Sequence, residues 1–331
     1  MSSQAKVFDR LPLFDPLEGH IIRSPEEKGN GQWAGAPTVI YDHARESYLL
    51  CYRRRAPRPE RGFEVNIAES KDGLNFDDIW KVRKDDLNTT SLEKCCIAKG
   101  LGGVYRLYYS YVDPEDNRWR IDVCEARSPE EFDVSTGKPL FTAKRVSRFQ
   151  RTPVEGVKDP NVYQIGGLYY MFLSYVEGYA SSEQKQIALH QTADVYNTGL
   201  LTAPSAYATS TDGLYFRWRG QCLNVGDEGT WDGYQSRLGS ILRHGNLWYG
   251  FYDGSQSHKE NYEEKFGLAQ SSDLRNWDKI SESGPIVAVP WQTGSVRYTD
   301  ALQVGDSIHY YYEVVRPDGS HELRVSVVKS S

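Results

Sequence analysis

Along the chain, a run ending in small or β-branched residues leads into a turn and then a burst of tyrosines, and this returns five times. The first copy runs from Ala36-Pro37-Thr38-Val39-Ile40 to Tyr48-Leu49-Leu50-Cys51-Tyr52. The second runs from Cys95-Cys96-Ile97 to Tyr105-Arg106-Leu107-Tyr108-Tyr109, and the third from Asp159-Pro160-Asn161-Val162 to Gly167-Leu168-Tyr169-Tyr170. The fourth joins Ser240-Ile241-Leu242 to Gly245-Asn246-Leu247-Trp248-Tyr249, and the last joins Ala301-Leu302-Gln303 to Tyr310-Tyr311-Tyr312. Each copy reads as a β-hairpin, and a repeat of this period is one supersecondary unit copied and stacked. Third-strand signals follow, such as Val65-Asn66-Ile67-Ala68-Glu69-Ser70 and Ile121-Asp122-Val123-Cys124. Asp72-Gly73, Asp212-Gly213 and Asp273-Leu274 then mark corners before an aromatic. Asp and Gly tolerate positive φ, so these corners read as hairpin turns rather than catalytic groups.

The pattern predicts an all-β chain folded as a five-bladed β-propeller in a single domain. Blades fall near 33–90, 91–145, 146–225, 226–290 and 291–331. The last copy lacks an outermost strand, and the N-terminal segment around Lys6-Val7-Phe8 is expected to supply it and remove a free edge. Between Tyr175 and Ala206 the third copy carries a long insertion. It reads as a pocket wall or a contact in a homo-oligomer ahead of a plain surface excursion.

Composition narrows the function. Aromatic residues make up 13% of the 331, with 23 Tyr and 8 Trp, which suits pleated strands. A formal charge of −6 argues against nucleic acid, which needs a basic footprint. No apolar run is long enough to span a membrane, and Met1-Ser2-Ser3-Gln4-Ala5-Lys6 has no apolar signal segment, so a cytoplasmic location is expected. The five cysteines show no CxxC spacing and read as buried thiols, with Cys95 and Cys96 pointing to opposite faces of one strand. No dinucleotide fingerprint, phosphate loop or nucleophile elbow occurs, and the sequence requires neither a cofactor nor a metal.

In a propeller the first strand of each blade lines a central channel, and chemistry gathers at its mouth. Reading those positions gives Trp33, Arg53, Glu93, Lys94, Asp159, Arg237, Asp253 and Asp300. Carboxylates mixed with arginines suit a sugar, because one carboxyl can protonate a leaving oxygen while another activates water. Glu93 and Asp159 are the candidate catalytic pair. Trp33, Arg53, Lys94, Arg237, Asp253 and Asp300 are candidates for holding a small carbohydrate substrate. The same charges would otherwise serve as ion pairs between blades. His190 and His258 fall in mouth-side loops and read as solvated, while Trp33 and Tyr175 read equally as channel aromatics that stack on a sugar and as core packing.

These motifs resemble the propellers of glycoside hydrolase families 43, 32 and 130. Tyr52-Arg53 with Asn66-Ile67-Ala68-Glu69-Ser70-Lys71-Asp72-Gly73 is similar to the first blade of family 130, and Val157-Lys158-Asp159-Pro160 resembles inner-strand motifs of all three. Tyr252-Asp253-Gly254 and Gly294-Ser295-Val296 resemble the fourth and fifth blades. The resemblance covers nearly the whole chain and implies a glycosidase. The chain departs from it at Ala36, where families 43 and 32 place a catalytic Asp, and at Lys94, where family 130 places an acid. Three readings follow: a glycoside hydrolase using Glu93 and Asp159; a phosphorylase whose Arg53, Arg237 and Lys94 hold phosphate; or a divergent propeller that binds or transforms another, anionic small molecule.

Overall fold

The computed structural model describes residues 11–330. Its first strand, β1 (His20–Arg23), precedes four antiparallel meanders. Blade one contains β2 (Trp33–Asp42), β3 (Ser47–Ala56), β4 (Arg61–Ser70) and β5 (Asp77–Arg83); blade two contains β6 (Leu92–Lys99), β7 (Tyr105–Val112), β8 (Trp119–Ala126) and β9 (Lys138–Phe141). Helix α1 (Ala143–Gln150) leads to blade three, where β10 (Val154–Ile165) and β11 (Leu168–Glu177) are separated by helix α2 (Glu183–Ala188) from β12 (Ser205–Ser210) and β13 (Arg217–Leu223). Blade four is β14 (Gln235–His244), β15 (Leu247–Ser255), β16 (Lys265–Ser271) and β17 (Asp278–Lys279). The chain ends in β18 (Val296–Val304), β19 (Ser307–Val315) and β20 (His321–Lys329), and β1 pairs antiparallel with β20 to complete a fifth four-stranded blade.

The inner strands form a ring: β2 touches β6 and β18, β6 touches β10, and β14 bridges β10 and β18. This is a five-bladed propeller closed by β1, whose Ile22 packs in one core cluster with Leu323 and Val325. The expected closing segment, Lys6-Val7-Phe8, lies outside the described residues. No described helix is long and apolar enough to cross a membrane.

The tyrosine bursts have a structural use. They sit on the second strands, packed at blade interfaces, and the hydroxyls of several reach backbone carbonyls elsewhere. Tyr108 donates to the Gly213 carbonyl at 2.8 Å and Tyr311 to the Gly73 carbonyl at 2.9 Å, each tying a blade to the turn of a neighbour. Those turns are built alike. Ser70 Oγ accepts from Gly73 N at 2.9 Å while Asp72 Oδ1 accepts from Leu74 N and Asn75 N, and Ser210–Asp212 and Ser271–Asp273 repeat the arrangement. The five cysteines are buried and free, with Cys95 in the cluster between blades one and two and Cys96 in that between blades two and three.

Candidate functional site

Every inner strand carries one residue more than its partner at the same height, a β-bulge that re-aims side chains. The breaks in register fall between Gly35 and Thr38, Leu92 and Cys95, Lys158 and Asn161, Leu238 and Ser240, and Arg297 and Asp300. Aligned on that break, Ala36, Glu93, Asp159, Leu238 and Tyr298 are equivalent. Blade one thus presents a methyl group where blades two and three present carboxylates. Ala36, Asp159 and Tyr298 have φ of 53°, 59° and 51°, a region that side chains rarely adopt.

A bulge strands backbone amides, and here the preceding blade satisfies them. Ala36 N donates to Glu313 Oε2 at 3.0 Å, Asp159 N to Ser110 Oγ at 3.0 Å, and Tyr298 N to Asp253 Oδ1 at 2.9 Å. Gly35 must lack a side chain, because a Cβ there would collide with the Glu313 carboxylate. Asp253 and Glu313 therefore brace the fold at the channel as well as adding charge to it.

The charges alternate in a buried chain. Glu93 pairs with Arg53, Arg53 Nη2 with Glu313 Oε2 at 3.4 Å, Glu313 Oε1 with Arg297 Nη2 at 2.6 Å, and Arg297 with Glu264. Glu264 Oε1 then meets Arg237 Nη1 at 3.1 Å, and the same nitrogen meets Asp159 Oδ2 at 3.4 Å. Arg237 also donates through Nε and Nη2 to Asp253 Oδ2 at 3.1 and 3.0 Å. Its guanidinium carbon lies 3.8 Å from the centre of the Tyr298 ring. Glu93 is 3% exposed and Asp159 1%, so neither reaches open solvent.

Burial and charge set the protonation states in opposite directions. Burial opposes ionisation of Glu93, but Arg53, Lys158 and Arg55 outweigh it and bring it down to about 2. Burial wins at Asp253 and Asp300, both pushed up to about 6 against the pull of Arg237 and Lys94 respectively. Burial lowers Lys94, whose Nζ donates to the Gly239 carbonyl at 2.9 Å. Asp300 lies deeper than the bulges, accepting from Val39 N at 2.6 Å. Asp159 Oδ1 is buried with no hydrogen-bond partner among the described residues, the one carboxylate oxygen in that position, although Trp33 Nε1, Arg53 Nε and Thr299 Oγ1 nearby are also unpartnered.

The insertion of blade three covers this network. Leu189, Asp194, Val195 and Tyr196 are buried, and Asp194 accepts from Tyr262 Oη at 2.6 Å and meets Arg61 Nη2 at 3.4 Å. Arg61 and Arg58 of blade one donate to the Ala193 and Thr192 carbonyls, and Tyr196 lies over Lys158 with Nζ 4.5 Å from its ring centre. The segment is a plug across the mouth, resting on blades one and four. Beside it, toward blades one and five, a cavity of about 380 Å³ remains, lined by Trp33, Arg55, Tyr262, Glu263 and Gln292 among others.

All eight candidate residues from the sequence lie at or under this mouth. Trp33 is buried against the guanidinium groups of Arg55 and Arg297. Of the two readings of Tyr175, core packing holds: it is buried between blades two and three, edge-on to Trp218. His190 is not solvated, since its Nε2 meets Glu155 Oε2 at 2.7 Å. The sequence reading passed over Glu264, Asp194, Arg61 and His321, and took in Tyr298 only within the run Arg297 to Asp300 ahead of the last inner strand. Strand register is what places Tyr298 level with Glu93 and Asp159; the loop residues gave no comparable signal. No group of three or more His, Cys, Asp or Glu among the described residues is arranged to hold a metal ion.

No family model matches the sequence, and no curated protein matches it. Solved structures do. A glycoside hydrolase superposes with a TM-score of 0.65 at 14% identity, covering 94% of this chain and 90% of that one. A thermostable family-43 glycoside hydrolase gives 0.63 at 14%, covering 94% and 92%. The β-1,2-mannobiose phosphorylase from Listeria innocua, solved with β-1,2-mannobiose, gives 0.57 at 17%, covering 96% and 94%. At these identities the likeness is one of fold: the chain shares its β-propeller with glycoside hydrolases and a glycoside phosphorylase.

Proposed function

We propose that the protein acts on a carbohydrate at the mouth of the propeller channel, and that the reaction is hydrolysis of a glycosidic bond. The observation that carries this is Asp159. Its backbone sits in a region costly for a side chain, its carboxylate is buried, and one oxygen has no partner among the described residues. Strain and an unsatisfied buried acceptor are tolerated where they serve function. Glu93 stands at the equivalent bulge of the adjacent inner strand, and its arginines keep it ionised. It therefore fits the role of base, nucleophile or electrostatic partner of an oxocarbenium-like transition state rather than that of the acid. Asp159, with its free oxygen, is the group left to exchange a proton. A sugar reaches them only when the segment carrying Asp194 and Tyr196 lifts.

Charge balance favours hydrolysis over phosphorolysis. Arg53, Arg237 and Arg297, the arginines nearest Glu93 and Asp159, are each committed to carboxylates, so a phosphate held by them for attack would have to displace one of those carboxylates. Turnover of a panel of aryl glycosides, with and without phosphate, tests the assignment. Glu93→Gln and Asp159→Asn should each lower kcat at least about a hundredfold, with no dependence on phosphate. The burial of both carboxylates favours a second reading, sugar binding without bond cleavage. In that case neither variant changes turnover, and both bind sugars as the parent does.

A further inference from the structure

The arginines of the mouth are not equally engaged. Arg237 and Arg297 spend their guanidinium donors on carboxylates at 2.6–3.4 Å. Arg55 is 5% exposed, yet its one hydrogen bond among the described residues is a 3.5 Å contact from Nη1 to Glu93 Oε1. That distance is the outer limit for such a bond. The rest of its fork is free of protein acceptors. None of its nitrogens is sealed away among the buried, unpartnered atoms, and the side chain lines the 380 Å³ cavity. Its position is fixed by aromatic rings, with the guanidinium carbon 4.9 Å from the centre of Trp33 and 4.6 Å from that of Tyr262. A guanidinium packed on rings keeps its in-plane donors for another partner.

The other charges around the cavity leave room for an anion. Glu263 is the carboxylate on its wall, and it is already engaged by His321 Nε2 at 3.0 Å and Thr293 Oγ1 at 2.7 Å. Burial works against charge on His321, but its bonds to Glu263 and Glu313 raise its pKa overall. Arg58 adds a second, half-exposed guanidinium on the same wall. Asn30 and Gln292 supply neutral amides of the kind that hydrogen-bond sugar hydroxyls.

We propose that this cavity binds the oxyanion group of an acidic sugar, a carboxylate or a phosphate ester, through the free face of Arg55. The inference rests on the carbohydrate reading above and narrows its substrate class. The volume suits a single sugar ring, since small-molecule sites begin at about 300 Å³. A charge-assisted fork is the strong, geometrically selective form of such a contact.

Calorimetric titration of the whole protein with glucuronate, galacturonate, glucose 6-phosphate, glucose and inorganic phosphate tests it. A charged sugar should bind at least about tenfold more tightly than glucose, and whether a uronate or the phosphate ester leads identifies the source of the oxyanion. Arg55→Met should remove that preference and Arg55→Lys should restore part of it. The selectivity of the parent protein stands as a test even if a variant fails to fold. Equal affinity for glucose and the charged sugars overturns the proposal, as does undiminished selectivity in Arg55→Met. Inorganic phosphate binding as tightly as any charged sugar also overturns it, because the site would then recognise a bare anion. If neutral sugars bind or turn over without charge preference, only this inference falls; if no sugar binds, the carbohydrate reading falls with it.

Discussion

Arg237 and Arg55 stand in one mouth, and both are almost fully buried, yet they differ in what surrounds them. Arg237 meets Asp159, Asp253 and Glu264, whereas Arg55 leans on two aromatic rings and barely reaches Glu93. The first is a structural tie: it joins blades three and four, and its removal would take a cationic partner from three buried carboxylates. The second is held in place with its donors unspent. Burial alone does not distinguish a brace from a binding group; the number of committed donors does.

The contrast should show first in stability. Arg237→Met is expected to lose about 3–5 kcal/mol by denaturant unfolding, the cost of leaving buried charge unpaired. Arg55→Met should lose about 1 kcal/mol, and equal losses would erase the distinction. The plug offers the next test. Tyr196→Ala, at a fully buried position over Lys158, should cost about 3 kcal/mol. Tyr179→Ala in the same insertion, where the side chain is exposed, should stay within about 0.5 kcal/mol. Hydrogen exchange at residues 189–197 in Tyr196→Ala would show whether the plug loosens ahead of the blades.

Acid then separates Glu93 from its neighbours. Its folded value of about 2 lies below the ordinary 4.5, so its contribution is present above pH 4.5 and is lost as pH falls through 2. The gap in stability between the parent and Glu93→Gln, of about 3 kcal/mol near neutrality, should therefore close over that interval. Asp253 behaves in reverse. Raised from 3.8 to about 6, it favours the fold below pH 3.8 and loses that contribution as pH rises through 6. Tyr108→Phe removes one hydroxyl from the Gly213 carbonyl and should cost about 1 kcal/mol in melting experiments.

Much of the architecture was legible in the sequence because it is local. The Tyr bursts, the Ser-x-Asp turns and the small residues of the inner strands are set by short-range stereochemistry, and each recurs where the pattern put it. The site was legible in part: Glu93 and Asp159 stand out as polar residues ahead of inner strands, whereas their equivalence with Tyr298 at one bulge needs the strand register. What could not be read was the destination of long loops. Asp194 and Tyr196 sit in an insertion with no strand period, and only the folded path brings them over Lys158 and Arg61. Glu264 and His321 lie at loop ends, and their charges matter only because Arg237, Arg297 and Glu313 converge from other blades. Closure by His20–Arg23 was likewise hidden, since four residues give no period to detect.

That closure has a consequence for how the protein is made. Blade five is assembled from the first described strand and the last three, so this blade stays incomplete until β20 has been synthesised. Until then β1 has no partner, and β2 lacks the neighbour on one side against which it packs in the finished ring. Unpaired strand edges template association with other chains, and pairings across such sequence distances form slowly. A nascent or stalled chain is therefore more exposed to aggregation than the finished one, and the four residues of β1 act as the latch that ends that exposure.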